Sequence, residues 1–175
     1  MRAASDAVYD PTHNPLSVSY ENCHPFKYGP WTFMHNGALC EFGRLKLLIS
    51  NLISPDLYLQ LSGSTDSEFI FALFLHLLGE ERRGRDYRIS AEELAATVEA
   101  TISTVLHISK YLGYKELASL NMCITNGTHA LATRFRGNTE QVEEPPSLYY
   151  CVGETFDPQV GHFTGGGDAE GEGDG

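Results

Sequence analysis

The period of the apolar positions changes several times along this chain, and each change predicts an element. Leu16, Val18 and Tyr20 alternate with Ser17, Ser19 and Glu21, which predicts a short strand, and Pro25 and Pro30 break the stretch after it. Trp31, Phe33 and His35 share one face of a second strand, W-T-F-M-H, that runs straight into Asn36-Gly37. Phe42, Leu45, Leu48 and Ile49 then recur at helical spacing, so a helix is expected over Glu41–Leu52, stopped by Ser54-Pro55. The run Phe69–Leu78 is apolar on nearly every side. A surface helix cannot be, so this one is expected between other layers, opened by a capping box of Thr65 and Glu68.

Gly79–Asp86 reads as a solvated loop, with Arg82, Arg83, Arg85 and Arg88 as a wet charge run. Ser90 and Glu93 form a second capping box, with Ile89 and Leu94 placed as a hydrophobic staple. Leu94, Val98, Ile102, Val105 and Tyr111 or Leu112 carry that helix to Gly113. Ala118–Thr125 and His129–Arg136 predict a hairpin across Asn126-Gly127, a favoured type I′ turn. A last strand is expected over Leu148–Val152, after Pro145-Pro146. Long helices with strands on both sides of them in sequence predict a layered, mostly antiparallel α+β domain. Residues 1 to 15 are rich in turn formers. The closing G-G-G-D-A-E-G-E-G-D-G has no side chain able to build a core, so residues 164–175 are expected as a disordered acidic tail behind a domain of residues 1–163.

Composition narrows the function classes. The net charge of -11 is uneven: nine acidic residues and no Lys or Arg lie between Gly137 and Gly175, while the rest is nearly balanced. Nothing there resembles the basic footprint of a nucleic-acid binder. Phe69–Leu78 is about half the length of a membrane span, and M-R-A-A-S-D lacks the apolar stretch of a signal peptide. Cys23, Cys40, Cys123 and Cys151 have neither C-x-x-C spacing nor the density of a disulfide scaffold. Reduced thiols of a cytosolic or nuclear protein are the plain reading, and a cytoplasmic location is expected. No His or Cys spacing predicts a metal site, and no cofactor is expected.

Asn36-Gly37 has two readings. It is a tight turn, or it is a donor pair: an Asn amide donates twice, and a Gly N–H can approach a ligand without a Cβ in the way. Such a pair suits an oxygen that turns negative in acyl transfer. Asp66 also has two. An acid is favourable in a first helical turn, yet Thr65 and Glu68 already supply the cap, so Asp66 is a surplus carboxylate able to bind an amine. Cys23 and His24, being adjacent, point to opposite faces of an extended chain and cannot activate each other, so a buried thiol and, at His35, a structural imidazole are expected. A metal-dependent hydrolase on His24 and His35 would need those rings to converge.

The order of these motifs resembles a known family. N-C-H-P-F followed by F-M-H-N-G, then G-S-T-D-S-E opening a helix, is similar to the class II glutamine amidotransferases. With S-L-N-M-C-I-T-N-G, A-T-R-F and P-P-S-L-Y-Y, the set resembles the fungal members that take part in glutathione degradation, over roughly residues 1 to 163. The resemblance implies the αββα sandwich of N-terminal nucleophile hydrolases, here a partial one whose first strands are expected to be missing. It implies an oxyanion hole at Asn36 and the Gly37 N–H, an ammonium-binding role for Asp66, and an α-carboxylate clamp at Arg2 with Ser5. It also implies glutamine or a γ-glutamyl peptide as ligand, and a peptidase-like or acceptor-domain protein as partner.

The family nucleophile is a Cys at the mature N-terminus, upstream of the Arg motif with which this chain begins. Two functions follow as expectations. One is a fragment of an enzyme that hydrolyses the γ-glutamyl amide of glutamine or glutathione, inactive alone for want of that Cys. The other is an inactive remnant that binds γ-glutamyl groups or docks onto a partner.

Overall fold

The computed structural model describes residues 19–84, 88–114, 116–138, 148, 155–157, 159 and 162–164. By its internal contacts the chain divides into two units, Met1–Pro145 and Pro146–Gly175. In the first, a hairpin of β1 (Phe26–Tyr28) and β2 (Trp31–Leu39) leads into α1 (Phe42–Leu52), the single turn α2 (Pro55–Tyr58), α3 (Asp66–Leu78) and α4 (Ala91–Tyr111). The chain returns through β3 (Glu116–Thr125), β4 (Ala130–Ala132) and β5 (Arg136–Asn138). All the strand pairs are antiparallel, in the order β1-β2-β3-β4 with β5 also on β3. The second unit contains the antiparallel pair β6 (Thr155–Asp157) and β7 (His162–Thr164). This is the mixed α+β architecture with antiparallel sheet that the sequence predicts.

Alternation along β2 and β3 divides the sheet into two faces. Trp31, Phe33, His35 and Leu39 are buried, opposite Ile124, Met122 and Ala118 in the register Phe33↔Ile124, His35↔Met122, Leu39↔Ala118. Met34, Asn36 and Ala38 are exposed on the other face. The buried face meets α3: Phe33 stacks on Phe71 at 5.2 Å between centroids, and Trp31 meets Phe74 edge-on at 5.4 Å. Phe33, Phe74, Val98, Met122 and Ile124 converge where the sheet, α3 and α4 come together. On another side of α3, Phe69 lies against Phe42 of α1. The expectation that Phe69–Leu78 lies between layers is met: of these residues only His76 and Leu77 are not buried.

Helix caps follow the sequence, with one difference. Ser90 and Glu93 make the complete box. Thr65 accepts the Glu68 N–H, but the Glu68 carboxylate passes over the N-cap backbone and accepts from Ser62 and Gly63 instead.

Other expectations are corrected. β1 was hidden between two prolines and closes through Gly29 at φ +56°. Of the apolar positions in the alternation from Leu16, only Tyr20 is described, and it lies in a 3-10 turn over Tyr20–Asn22, outside any strand. Asn36-Gly37 is no turn, since β2 continues through it to Leu39. The β3–β4 connection is a four-residue loop, Asn126 to His129, in which Asn126 Oδ1 accepts from Thr128 and His129. A type I′ turn needs positive φ at both central residues, and only Gly127 has it. Beyond it the expected second strand breaks into β4 and β5. Leu148 is in no strand, and the rest of Leu148–Val152 and the Gly-rich tail lie outside the described residues. No helix among the described residues is long and apolar enough to cross a membrane.

Arg83 is the other correction, because it is buried rather than wet. Its Nε donates to the Leu75 carbonyl at 2.9 Å and its Nη1 to Asp56 at 2.7 Å, which ties α2 to the end of α3. Removing that side chain strands a buried carbonyl, whereas the neighbouring Arg82 is exposed and its 3.7 Å contact to Glu93 is solvated. Arg83→Ala is expected to lower unfolding free energy by about 1–3 kcal/mol, and Arg82→Ala by less than about 1 kcal/mol. Urea titrations of both variants check this, and equal effects would contradict the assignment.

Candidate functional site

The site is built on one edge of β2. β1 pairs with β2 at Trp31, Thr32 and Phe33, so beyond Phe33 that edge has no neighbouring strand among the described residues. In an antiparallel ladder, N–H groups of alternate residues leave the strand on the same side. The N–H groups of residues 35, 37 and 39 therefore point along the vacated edge. Two are satisfied by side chains: His35 N–H donates to His24 Nε2 at 3.3 Å, and Leu39 N–H to Asp66 Oδ2 at 2.9 Å. The Gly37 N–H lies between them and has no partner among the described residues. Its cross-strand neighbour Leu120 turns its own N–H away, to the Phe135 carbonyl at 2.8 Å.

Gly37 is glycine because of what covers it. His35 points to the core, and its ring reaches across residue 37 so that Nε2 donates to the Ser119 carbonyl at 3.0 Å. A Cβ on residue 37 would fall on that carbonyl oxygen and within 2.8 Å of His35 Nε2. The close approach comes from the core side, while the N–H faces outward. With Nε2 donating, His35 Nδ1 accepts, and its partner at 3.0 Å is the hydroxyl of buried Ser67, the residue after Asp66. Both ring nitrogens are engaged, which makes His35 the structural imidazole that was expected. It joins β2 to α3 at the residues adjoining Asn36-Gly37 and Asp66.

Every residue of Gly63–Glu68 has a separate task. Glu68 takes the N–H groups of Ser62 and Gly63, and Asn22 Oδ1 takes that of Ser64 at 2.9 Å. Gly63 has no room for a side chain, since a Cβ there would run into Asn22 Oδ1. Thr65 caps the helix and Ser67 meets His35. Asp66, first residue of α3, accepts at Oδ1 from its neighbour Ser67 N–H at 2.7 Å and at Oδ2 from Leu39. The carboxylate keeps lone pairs beyond those bonds.

Asn36 presents its side chain on the exposed face of β2, where its carboxamide makes no hydrogen bond to the described residues. Its carbonyl is held by Asn121 Nδ2 at 2.8 Å. Asn121 also donates to Ser119 Oγ and accepts from Phe135 N–H, so one amide joins β2, β3 and the segment before β5. His24 lies edge-on to Phe26, 5.0 Å between centroids. Burial holds its pKa below the ordinary histidine value, as does the neighbouring His35, against an opposing pull from Asp66.

Of the residues singled out in the sequence, the structure brings Gly37 and Asp66 to one strand edge, with Asn36 beside them. Arg2 and Ser5 lie outside the described residues. Cys23 donates to the Ser19 carbonyl at 3.3 Å and does not engage His24. Sequence reasoning assigned no role to Asn22, Ser67 or Asn121, and weighed His24 only as a partner of Cys23 or a metal ligand. Asn22, His24 and Asn121 belong to the recognised motifs N-C-H-P-F and S-L-N-M-C-I-T-N-G, which was the available signal. Among the described residues no group of three His, Cys, Asp or Glu side chains could hold a metal.

Comparison with known proteins gives two similarities. The chain is 32% identical over 146 residues to the probable glutamine amidotransferase DUG3 of Saccharomyces cerevisiae, covering 79% of this chain and 40% of the yeast protein. Its fold is similar to that of a glutamine aminotransferase class-II domain protein from Silicibacter pomeroyi, with a TM-score of 0.59, 27% identity, and coverage of 75% of this chain and 52% of that one. The chain thus spans about half the length, or less, of the proteins it matches. No protein-family model matches it.

The packing around Gly37 carries a prediction. Gly37→Ala must displace the Ser119 carbonyl or the His35 ring, and overpacking of this kind costs about 1–3 kcal/mol. Denaturant unfolding should show that loss. An unchanged midpoint would show that the close approach does not exist.

Proposed function

The chain belongs to the class II glutamine amidotransferase family, and from that premise we propose that the open edge of β2 holds a γ-glutamyl group. Asp66 takes the α-ammonium. The Gly37 N–H, helped by the Asn36 carboxamide, takes the γ-carbonyl oxygen. One observation carries this reading: the Gly37 N–H lacks a partner among the described residues, on an edge where the N–H groups at 35 and 39 are both capped, the second by Asp66 itself. An unpaired N–H in a partly buried strand is costly unless something docks on it.

The spacing supports the assignment. Asp66 stands at residue 39, two strand positions or roughly 7 Å along the edge from Gly37, so the two contacts lie toward the two ends of one small extended ligand. The family resemblance assigns the α-carboxylate to Arg2 with Ser5, and that role is part of the proposal. Glutamine and glutathione share the γ-glutamyl group, so both are ligands of the class.

The chemistry that a bound amide meets here is stabilisation of its oxygen. A preorganised N–H aimed at the γ-carbonyl helps most once that oxygen turns negative, while Asp66 fixes the other end and so the orientation. Hydrolysis in this family also needs the attacking thiolate of an N-terminal Cys with its own α-amine as base. What the described edge supplies to either ligand is binding and orientation of the γ-glutamyl group.

Calorimetry with L-glutamine and with its analogue lacking the α-amino group tests the assignment. Asp66→Asn should weaken L-glutamine binding about tenfold or more, a loss of roughly 1.4 kcal/mol or greater, and leave the des-amino analogue unaffected. Equal weakening of both ligands, or of neither, would remove Asp66 from the ammonium site.

A further inference from the structure

His24 is the one group on the β2 edge with no task in the reading above. Its Nε2 accepts the His35 N–H at 3.3 Å, and its ring leans on Phe26. We propose that His24 is a positioning residue for the γ-glutamyl site: it holds β2 in register past the end of β1, and its protonation weakens ligand binding. The proposal rests on the reading that Gly37 and Asp66 form that site.

The physical reasons are local. β1 last pairs with β2 at Phe33, and the next outward N–H on that edge is that of His35. Left unpaired it would draw in water or let the strand peel away. The His24 imidazole takes the place that the next residue of β1 would have filled. Gly37 is the next outward position, so the aim of its N–H depends on residue 35 staying in place. Residue 39 is held separately, by Asp66. His24 thus anchors the near side of the slot, and Asp66 anchors the far side.

An imidazole can accept at Nε2 only while that nitrogen carries no proton. Protonation turns the acceptor into a donor facing another donor, and the bond is lost. It also places a cation beside a site meant for an ammonium ion, which weakens binding in the same direction. The titratable groups that act on His24 are His35 and Asp66. His35 has both ring nitrogens engaged, and it disfavours the charged form of His24 as burial does; Asp66 favours it without prevailing. The folded-state value is therefore below the ordinary 6.5. The sign follows: the neutral, bonded state is complete above about 6.5, and it is lost as pH falls through the lowered value.

Two measurements on the full 175-residue chain test this. In the first, backbone amide resonances of His35 and Gly37 are followed by NMR from about pH 8 to pH 5. Both should move together with a single midpoint below the ordinary histidine value, and the movement should be absent in His24→Gln, whose amide oxygen accepts without titrating. In the second, L-glutamine affinity is measured at about pH 7.5 and pH 5.5. Wild type should lose affinity between them by less than about tenfold, the ceiling for a group that titrates below 6.5. His24→Gln should remove that slope and keep the higher-pH affinity within about threefold, while His24→Leu should be weak at both.

A slope that survives in His24→Gln, or a His35 amide that does not titrate in wild type, overturns the proposal alone. Absence of glutamine binding, or binding indifferent to Asp66→Asn, overturns the γ-glutamyl reading and the ligand role of His24 with it. The amide titration still decides whether His24 caps β2.

Discussion

Where β1 stops, the N–H groups on that side of β2 must find other partners, and much of the local structure answers that requirement. A buried or half-buried amide without an acceptor costs about 1–3 kcal/mol, so an edge of several such groups would not persist as a strand. Here the acceptors are side chains, His24 for residue 35 and Asp66 for residue 39. Both come from outside the sheet, one from the turn before β1 and one from the start of α3. Among the described residues the edge is thereby closed at two points and open at one, with the open point flanked by a carboxylate. Had β1 been longer, the same sequence of β2 would have had no donor to offer.

The far anchor depends on the loop before α3 being fixed, and the short polar run Gly63–Glu68 distributes that work. Glu68 and Asn22, both buried, satisfy three successive backbone N–H groups of the loop. Ser67 bonds to His35 and Thr65 caps the helix, which leaves Asp66 as the one carboxylate whose position is determined but whose capacity is not exhausted. The bulk of α3 holds this end in place. Phe71 and Phe74 press on Phe33 and Trp31 of the same strand that carries Gly37. The acid and the donor thus belong to two elements locked together by aromatic packing below and by the His35–Ser67 bond beside the site.

Legibility in the sequence followed how local each determinant is. α1, α3 and α4 were readable because a 3.6-residue period or a nearly uniform apolar run survives without its context. β1 was not, since Phe26–Tyr28 is too short to show a period and sits between prolines. Asn36-Gly37 has the composition of a turn, and only the pairing of β2 with β3 keeps it extended. The Arg83 error has the same origin: charge composition indicates solvent, whereas burial depends on Asp56 and the Leu75 carbonyl arriving from elsewhere in the fold. Gly37 and Asp66 were singled out from chemistry, because a surplus acid and a Cβ-free donor are unusual locally. His24, Ser67 and Asn121 act by reaching across the fold, and no spacing of residues encodes where β1 ends.

Gly37 shows how packing and recognition can fall on one residue without competing. Side chains alternate between the two faces of a strand, whereas backbone N–H groups alternate between its two edges. On its core face, residue 37 must lack a Cβ so that His35 can reach the Ser119 carbonyl, and that bond helps hold α3 against the sheet. On its edge, its N–H has no partner among the described residues, where β1 does not reach that far. The first requirement excludes every other side chain; the second needs none. A residue placed there for packing alone would still carry an outward donor, and it becomes a recognition group only because the bond system that starts at His35 also sets Asp66 at the next outward N–H. The core contact and the proposed ligand contact are thus two ends of one hydrogen-bonded chain, running from Ser119 through His35 and Ser67 to Asp66.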